Sequence, residues 1–140
     1  MSLTQARGRA AGGASSGKAV VAAFFAALSS DDIATVNEIV DPRGEFWVLS
    51  HRRAVPASAW LDGLQHLIRD KAPGGVEFVV STLTAEDDRV AAVVECHATF
   101  DDGRVYENMY HFLISVDGGR IARLWEYGDT LHAERVLRGK

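Results

Sequence analysis

Three features of the chain predict an α+β fold. Its earlier part reads as helices with one short strand, its later part reads as a run of long strands, and the sequences Asp101-Asp102-Gly103 and Asp117-Gly118-Gly119 join those strands as hairpins. Helices gathered ahead of a meander of strands make one layer of helix on one sheet. The 140 residues fit a single domain with one core.

Residues 1–16, with Arg7, Arg9 and many small residues, are expected to be a disordered tail outside the domain, which then spans residues 17–140. Residues 17–29 are rich in Ala, Phe and Leu and predict a helix, apolar nearly all round and therefore deeply buried. Ala19–Leu28 also resembles the apolar part of a secretory signal, but it runs on into an acidic amphipathic stretch rather than a cleavage site. Ser29 with Asp32 has the spacing of a capping box. A short second helix follows with Ile33, Val36, Ile39 and Val40 on one face, ended by Asp41-Pro42 because a residue before proline avoids helical backbone.

Residues 45–50, aromatic and β-branched, predict a short strand, and residues 51–55 a loop. Pro56 suits a first helical turn, and the next helix carries Trp60, Leu64, Leu67 and Ile68 as its apolar stripe before Pro73-Gly74-Gly75 breaks it. Strands are expected at 76–83, 89–100, 105–116 and 120–127, and Asp129 or Thr130 caps a closing helix.

Charge and composition narrow the function. A net charge of -4 is far from the basic face of a nucleic-acid binder, and no stretch approaches the ~18 apolar residues of a membrane span. The single cysteine, Cys96, excludes an intrachain disulfide, fits a cytoplasmic protein, and reads as a small buried hydrophobe in an apolar strand. No His, Asp and Glu spacing resembles a metal site, and no glycine-rich phosphate loop or Ser/His/acid set stands out, so neither cofactor nor covalent nucleophile is expected.

The densest chemistry lies in the last strands, at Glu95, His97, Asn108, Tyr110, Glu126, Tyr127 and Asp129. A first hairpin centred between Asp102 and Gly103 opposes Glu95 to Tyr110 and His97 to Asn108; a second centred on Gly118 opposes Tyr110 to Glu126. Opposed residues share a face, so Glu95, Tyr110 and Glu126 are expected as one row, with Phe112 and Leu124 beside it. Cys96, Met109, His111, Trp125 and Tyr127 fall on the other face, which separates His111 from His97. With strands ~4.8 Å apart, two carboxylates would bracket a phenol at roughly 10 Å, a set able to hold and move protons once an apolar surround raises a carboxyl pKa. The same row reads equally as a wet face with the core on the other side. Phe112, Leu124 and Val93 on the polar face favour cover on both sides.

The order of helices and meander, together with YENMYHFLISVDGGRIARLWEYGDT (residues 106–130), resembles the SnoaL-like proteins of the nuclear-transport-factor-2-like superfamily, over roughly residues 17–138. That superfamily includes ketosteroid isomerases, polyketide cyclases and limonene-epoxide hydrolases. The resemblance implies a cone: a curved mixed sheet wrapped around the N-terminal helices, with a central apolar pocket on its concave side. It implies that Glu126 is the acid/base, with Glu95 and Tyr110 as further catalytic groups, and that Asn108, His97, Trp47, Trp60, Phe112 and Leu124 bind substrate. Asp129 is the alternative acid. In the epoxide hydrolases an arginine stands two residues before the second carboxylate; Val93 stands there in this chain, which sets that activity behind the others. The carboxylate, tyrosine and protonated acid of the ketosteroid isomerases do not map as a full set.

The expected function is therefore a cofactor-free isomerase or cyclase moving protons on a small apolar substrate, polyketide, steroid-like or terpenoid. The alternatives are a ligand-binding or dimerisation module of the same fold and a purely structural protein. The expected partners are that ligand and a second copy docked on the outer sheet face, with no nucleic acid and no membrane.

Overall fold

The computed structural model describes residues 3–139, with side chains from Ser16 onward, so the expected tail over residues 1–16 lies almost wholly outside the described side chains. Helix α1 (Leu3–Ser29) is followed by α2 (Ile33–Ile39), β1 (Val40–Val48), β2 (Arg53–Pro56), α3 (Ala57–Asp70), β3 (Glu77–Glu86), β4 (Arg89–Thr99), β5 (Val105–Asp117), β6 (Arg120–Gly128) and α4 (Thr130–Arg138). One six-stranded sheet has the order β2-β1-β6-β5-β4-β3. It is mixed: β1 lies parallel to β6, and every other pair is antiparallel.

The class is the expected α+β, with some elements differing from expectation: α1 starts at Leu3 rather than at residue 17. Residues 53–56 form a short edge strand rather than a loop, because the turn at 49–52 folds them back onto β1 and pairs Val48 with Arg53. Arg52 turns the corner with φ of 51°. Strand β1 also begins five residues early, at Val40, because the chain bulges through 41–44 before its pairing with β6 resumes at Glu45. Gly44 is needed there, since a Cβ would stand 3.0 Å from the Asp41 carbonyl oxygen. Further irregularities between Val80 and Thr82 and between Ser115 and Val116 bend the sheet.

Helix α1 is not buried all round. Val21, Phe24, Phe25 and Leu28 form one buried stripe, and the alanines at 19, 22, 23 and 26 face outward. Alanine suits both roles, since it favours the helix without needing cover. The stripe packs on the sheet's inner face, where the Phe25 ring centroid lies 5.1 Å from Phe112 and that of Phe24 6.3 Å from Phe46. Ile114, Ile121 and Leu124 complete the core at full burial. Ser29 makes no capping box. Its hydroxyl donates to the Phe25 carbonyl at 2.9 Å and accepts from the Phe78 amide at 2.8 Å, fastening the end of α1 to β3. Asp32 alone caps α2, through Thr35.

Candidate active site

The hairpin register decides which side chains meet. Between β4 and β5, Val94 faces Tyr110, Cys96 faces Asn108 and Glu95 faces Met109. Between β5 and β6, Phe112 faces Glu126 and Tyr110 faces Gly128. Each hairpin is offset from the expected register, the first by a single residue. A one-residue slip moves a whole strand's side chains to the other face. The expected row of Glu95, Tyr110 and Glu126 therefore does not form. The inner face carries Val94, Cys96, Asn108, Tyr110, Phe112, Leu124 and Glu126. Glu95 and His97 point outward with Met109, His111 and Trp125.

The outward position overturns several expected roles. Glu95 and His97 pair with each other at 3.2 Å, with side chains 41% and 39% exposed. His111 stands on the same face as His97, not the opposite one. Cys96, expected on the other face, lies on the inner one, buried as expected. Trp47 packs on Tyr127 outside the sheet, ring centroids 5.4 Å apart, and lines no inner cavity. Phe112 and Leu124 do face inward, but both are fully buried in the core beneath the site. Asp129 caps α4, its carboxylate accepting from the His132 amide at 3.1 Å.

What the inner face does bring together is Glu126, Tyr110 and Trp60, on the wall of a cavity of about 420 Å³. Strands β4 to β6 form its floor, α3 one side through Trp60, Leu64 and Leu67, α4 another through Ala133 and Leu137, and the β1–β2 hairpin its rim. Helix α4 is fixed over the cavity by Lys71 and Arg104, which donate to the carbonyls of Leu137 and Val136 at its C-terminal end.

Among the described residues, Glu126 is the one carboxylate lining the cavity. Its Oε1 accepts from the Trp60 indole N–H at 3.3 Å. Burial raises its pKa from 4.5 to about 7, with the Trp60 hydrogen bond opposing part of the rise. The cavity leaves the carboxyl open to a ligand while protein surrounds it on the other sides.

Beside it runs a chain of hydrogen bonds. Asn108, 2% exposed, donates through Nδ2 to the Tyr106 hydroxyl at 2.7 Å and to the Asp129 carbonyl at 3.2 Å, and its Oδ1 accepts from the Met109 amide at 2.8 Å. Those backbone partners fix the orientation of the amide. The Tyr106 and Tyr110 hydroxyls are 2.5 Å apart. Burial raises the pKa of both phenols, so both hold their protons at neutral pH. The Tyr110 ring stacks on Phe112 at 5.4 Å and lies across Gly128, where a Cβ would come within 2.6 Å of it. Burial, with the charge of Glu126, likewise pushes the Cys96 thiol up to about 12, so it lines the cavity as an unreactive wall.

Sequence reasoning overlooked Tyr106 as part of this site and placed His51 and Arg53 only in a loop, which the structure brings to the cavity's rim. Period-two alternation from Asn108 and Tyr110 gives Tyr106 directly, whereas Arg53 enters only because residues 53–56 pair with β1. Among the described residues no helix is long and apolar enough to cross a membrane, and no cluster of three or more His, Cys, Asp or Glu is placed to hold a metal.

Among curated proteins, none matches this sequence. Solved structures share the fold at low identity. PrhC of Penicillium brasilianum is 14% identical with a TM-score of 0.79, over 90% of this chain and 88% of its own. IdmH of Streptomyces antibioticus, a candidate polyketide cyclase, is 20% identical with a TM-score of 0.75, over 87% and 98%. An M. tuberculosis epoxide hydrolase of the LEH-like kind is 18% identical with a TM-score of 0.73, over 90% and 92%. The profile of the SnoaL-like domain matches residues 21–124, and with that span covering most of the chain, the protein belongs to the SnoaL-like family.

Proposed function

We propose that the protein is a cofactor-free acid/base enzyme of the isomerase or cyclase type, acting on a small apolar substrate with a polyketide-like, steroid-like or terpenoid skeleton. The observation that carries this reading is Glu126: one carboxylate on a mainly apolar and phenolic wall, with His51 and Arg53 at the rim, and with a pKa of about 7. A group so tuned takes a proton and returns it at neutral pH with little driving force lost in either direction. Tyr110 is the matching electrophile. When Tyr106, held by Asn108, donates to Tyr110, the Tyr110 proton is free to bond an oxyanion forming on a substrate carbonyl. Glu126 removing a proton from carbon beside that carbonyl gives an enolate on Tyr110, and returning it elsewhere completes an isomerisation or sets up ring closure.

A single inner carboxylate speaks against epoxide hydrolysis by two acids, since Glu95 is outside and Val93 stands where the resemblance calls for arginine. The remaining alternative is a binding module that uses the same cavity without turnover. We further propose that the outer face, where Met109 is 52% and Tyr127 42% exposed, takes a second copy of the chain; sedimentation of the wild type against Met109→Lys tests this, and a wild-type monomer rejects it.

The test of the enzymatic reading is proton exchange. In D2O, an apolar 1,3-diketone is followed by NMR for loss of its central C–H signal. The wild type should accelerate exchange, and Glu126→Gln should slow it by about 10²–10⁴-fold while still binding the diketone. Binding without acceleration in the wild type would establish the binding module instead.

A further inference from the structure

The cavity's charge is placed unevenly, and the sheet register says where. Val48 of β1 is paired on one side with Arg53 of β2 and on the other with Glu126 of β6. Opposed residues share a face, so Arg53, Val48 and Glu126 form one row, and all three line the cavity. Two strand spacings separate the Arg53 and Glu126 backbones by about 10 Å. Arg53 stands at the exposed edge strand with His51 of the adjoining turn, and Glu126 on the wall beyond.

None of the ion pairs among the described residues uses Arg53 or His51. Of the side chains lining the cavity, Arg53 alone is charged at every ordinary pH; Glu126 is largely neutral below pH 7, and the Cys96 thiol and the two phenols hold their protons. An unpaired guanidinium at the rim of a cavity whose deeper walls are mainly apolar presents a planar pair of donors to whatever enters.

We infer that the ligand of this cavity is an apolar molecule bearing one carboxylate, that Arg53 pairs with the carboxylate at the rim, and that this pairing presents the apolar body to Glu126 and Tyr110. Arg53 is then a specificity-determining residue: it selects acids over neutral analogues and fixes which end of the ligand enters first. The inference rests on the reading of the cavity as a ligand pocket and narrows the substrate class of that same site.

A matched pair of probes tests it: 2-naphthoate and its neutral isostere 2-naphthamide, titrated at pH 6 where Glu126 is largely protonated. The Trp60 indole N–H resonance, assigned through Trp60→Phe, reports entry into the cavity. The wild type should bind the acid about tenfold more tightly than the amide, as a charge-assisted pair replaces a neutral hydrogen bond. Arg53→Gln should reduce that preference to near unity, Arg53→Lys should retain part of it, and added salt should weaken it. Equal affinity for acid and amide in the wild type, or a preference that survives in Arg53→Gln, overturns the inference and leaves the pocket standing. If neither probe moves the Trp60 resonance at millimolar concentration, the pocket reading fails and the inference falls with it.

Discussion

Glu95 and Glu126 belong to one sheet, two strands apart, and have opposite surroundings. Glu95 faces outward, 3.2 Å from the His97 ring and open to solvent. Glu126 faces inward, holds one hydrogen bond from Trp60, and has its pKa lifted to about 7 by burial. Nothing in the residue type separates them. The side of the pleat on which each lies decides whether the carboxylate is a surface charge or a proton-transfer group. The two faces of the sheet differ in the same way: the inner one is buried core and cavity wall, and the outer one carries Met109, His111 and Tyr127 exposed.

The sharpest way to break this comparison is to neutralise each carboxylate in turn. Glu126→Gln should cost the exchange reaction about two to four orders of magnitude, and Glu95→Gln less than about twofold. Equal losses would mean that the outer glutamate takes part and the assigned faces are wrong. Next in size is Gly128→Ala. Its Cβ would stand 2.6 Å from the Tyr110 ring, which Phe112 and Tyr106 hold in place, so the ring must move. Overpacking of this kind destabilises by about 1–3 kcal/mol, and the variant should also lose ligand affinity. Met109→Ala, on the outer face, should stay within about 0.5 kcal/mol in urea unfolding of the monomer at low concentration.

Stability against pH follows Glu126. Glu126 has its folded pKa raised above the unfolded value of 4.5, so the native state binds the extra proton. Its contribution is complete below pH 4.5 and is lost as pH rises to about 7. Above that, Glu126→Gln should be more stable than the wild type, by about 1–2 kcal/mol once solvent in the cavity is allowed for. The smallest effect is that of Trp60→Phe. It removes the hydrogen bond that holds the Glu126 pKa down, so the inflection in the pH–rate profile should move upward.

Much of the fold is legible in the residues, since hydrophobic period and turn chemistry mark α3, the β4–β5 and β5–β6 hairpins and the Asp129 cap. The second edge strand is not, because Arg53–Pro56 is short, starts on a charge and gains its conformation only by pairing with β1. The site was half legible for a related reason. Glu126, Tyr110 and Trp60 stand out by type, but their company depends on register. Turns containing two aspartates and a glycine, or an aspartate and two glycines, admit neighbouring centres, and one residue of error exchanges Glu95 for Val94 and His97 for Cys96. The irregularity between Ser115 and Val116 adds an offset that no local pattern announces.

The proposed chemistry depends most on Glu126 titrating near neutrality. Proteins labelled with ¹³C at the glutamate carboxyl carbon, followed by NMR from pH 3 to 9, test it directly, with Glu126→Gln assigning the resonance. The account predicts a midpoint of about 7 for Glu126. A Glu126 midpoint at the ordinary value of 4.5 would contradict it.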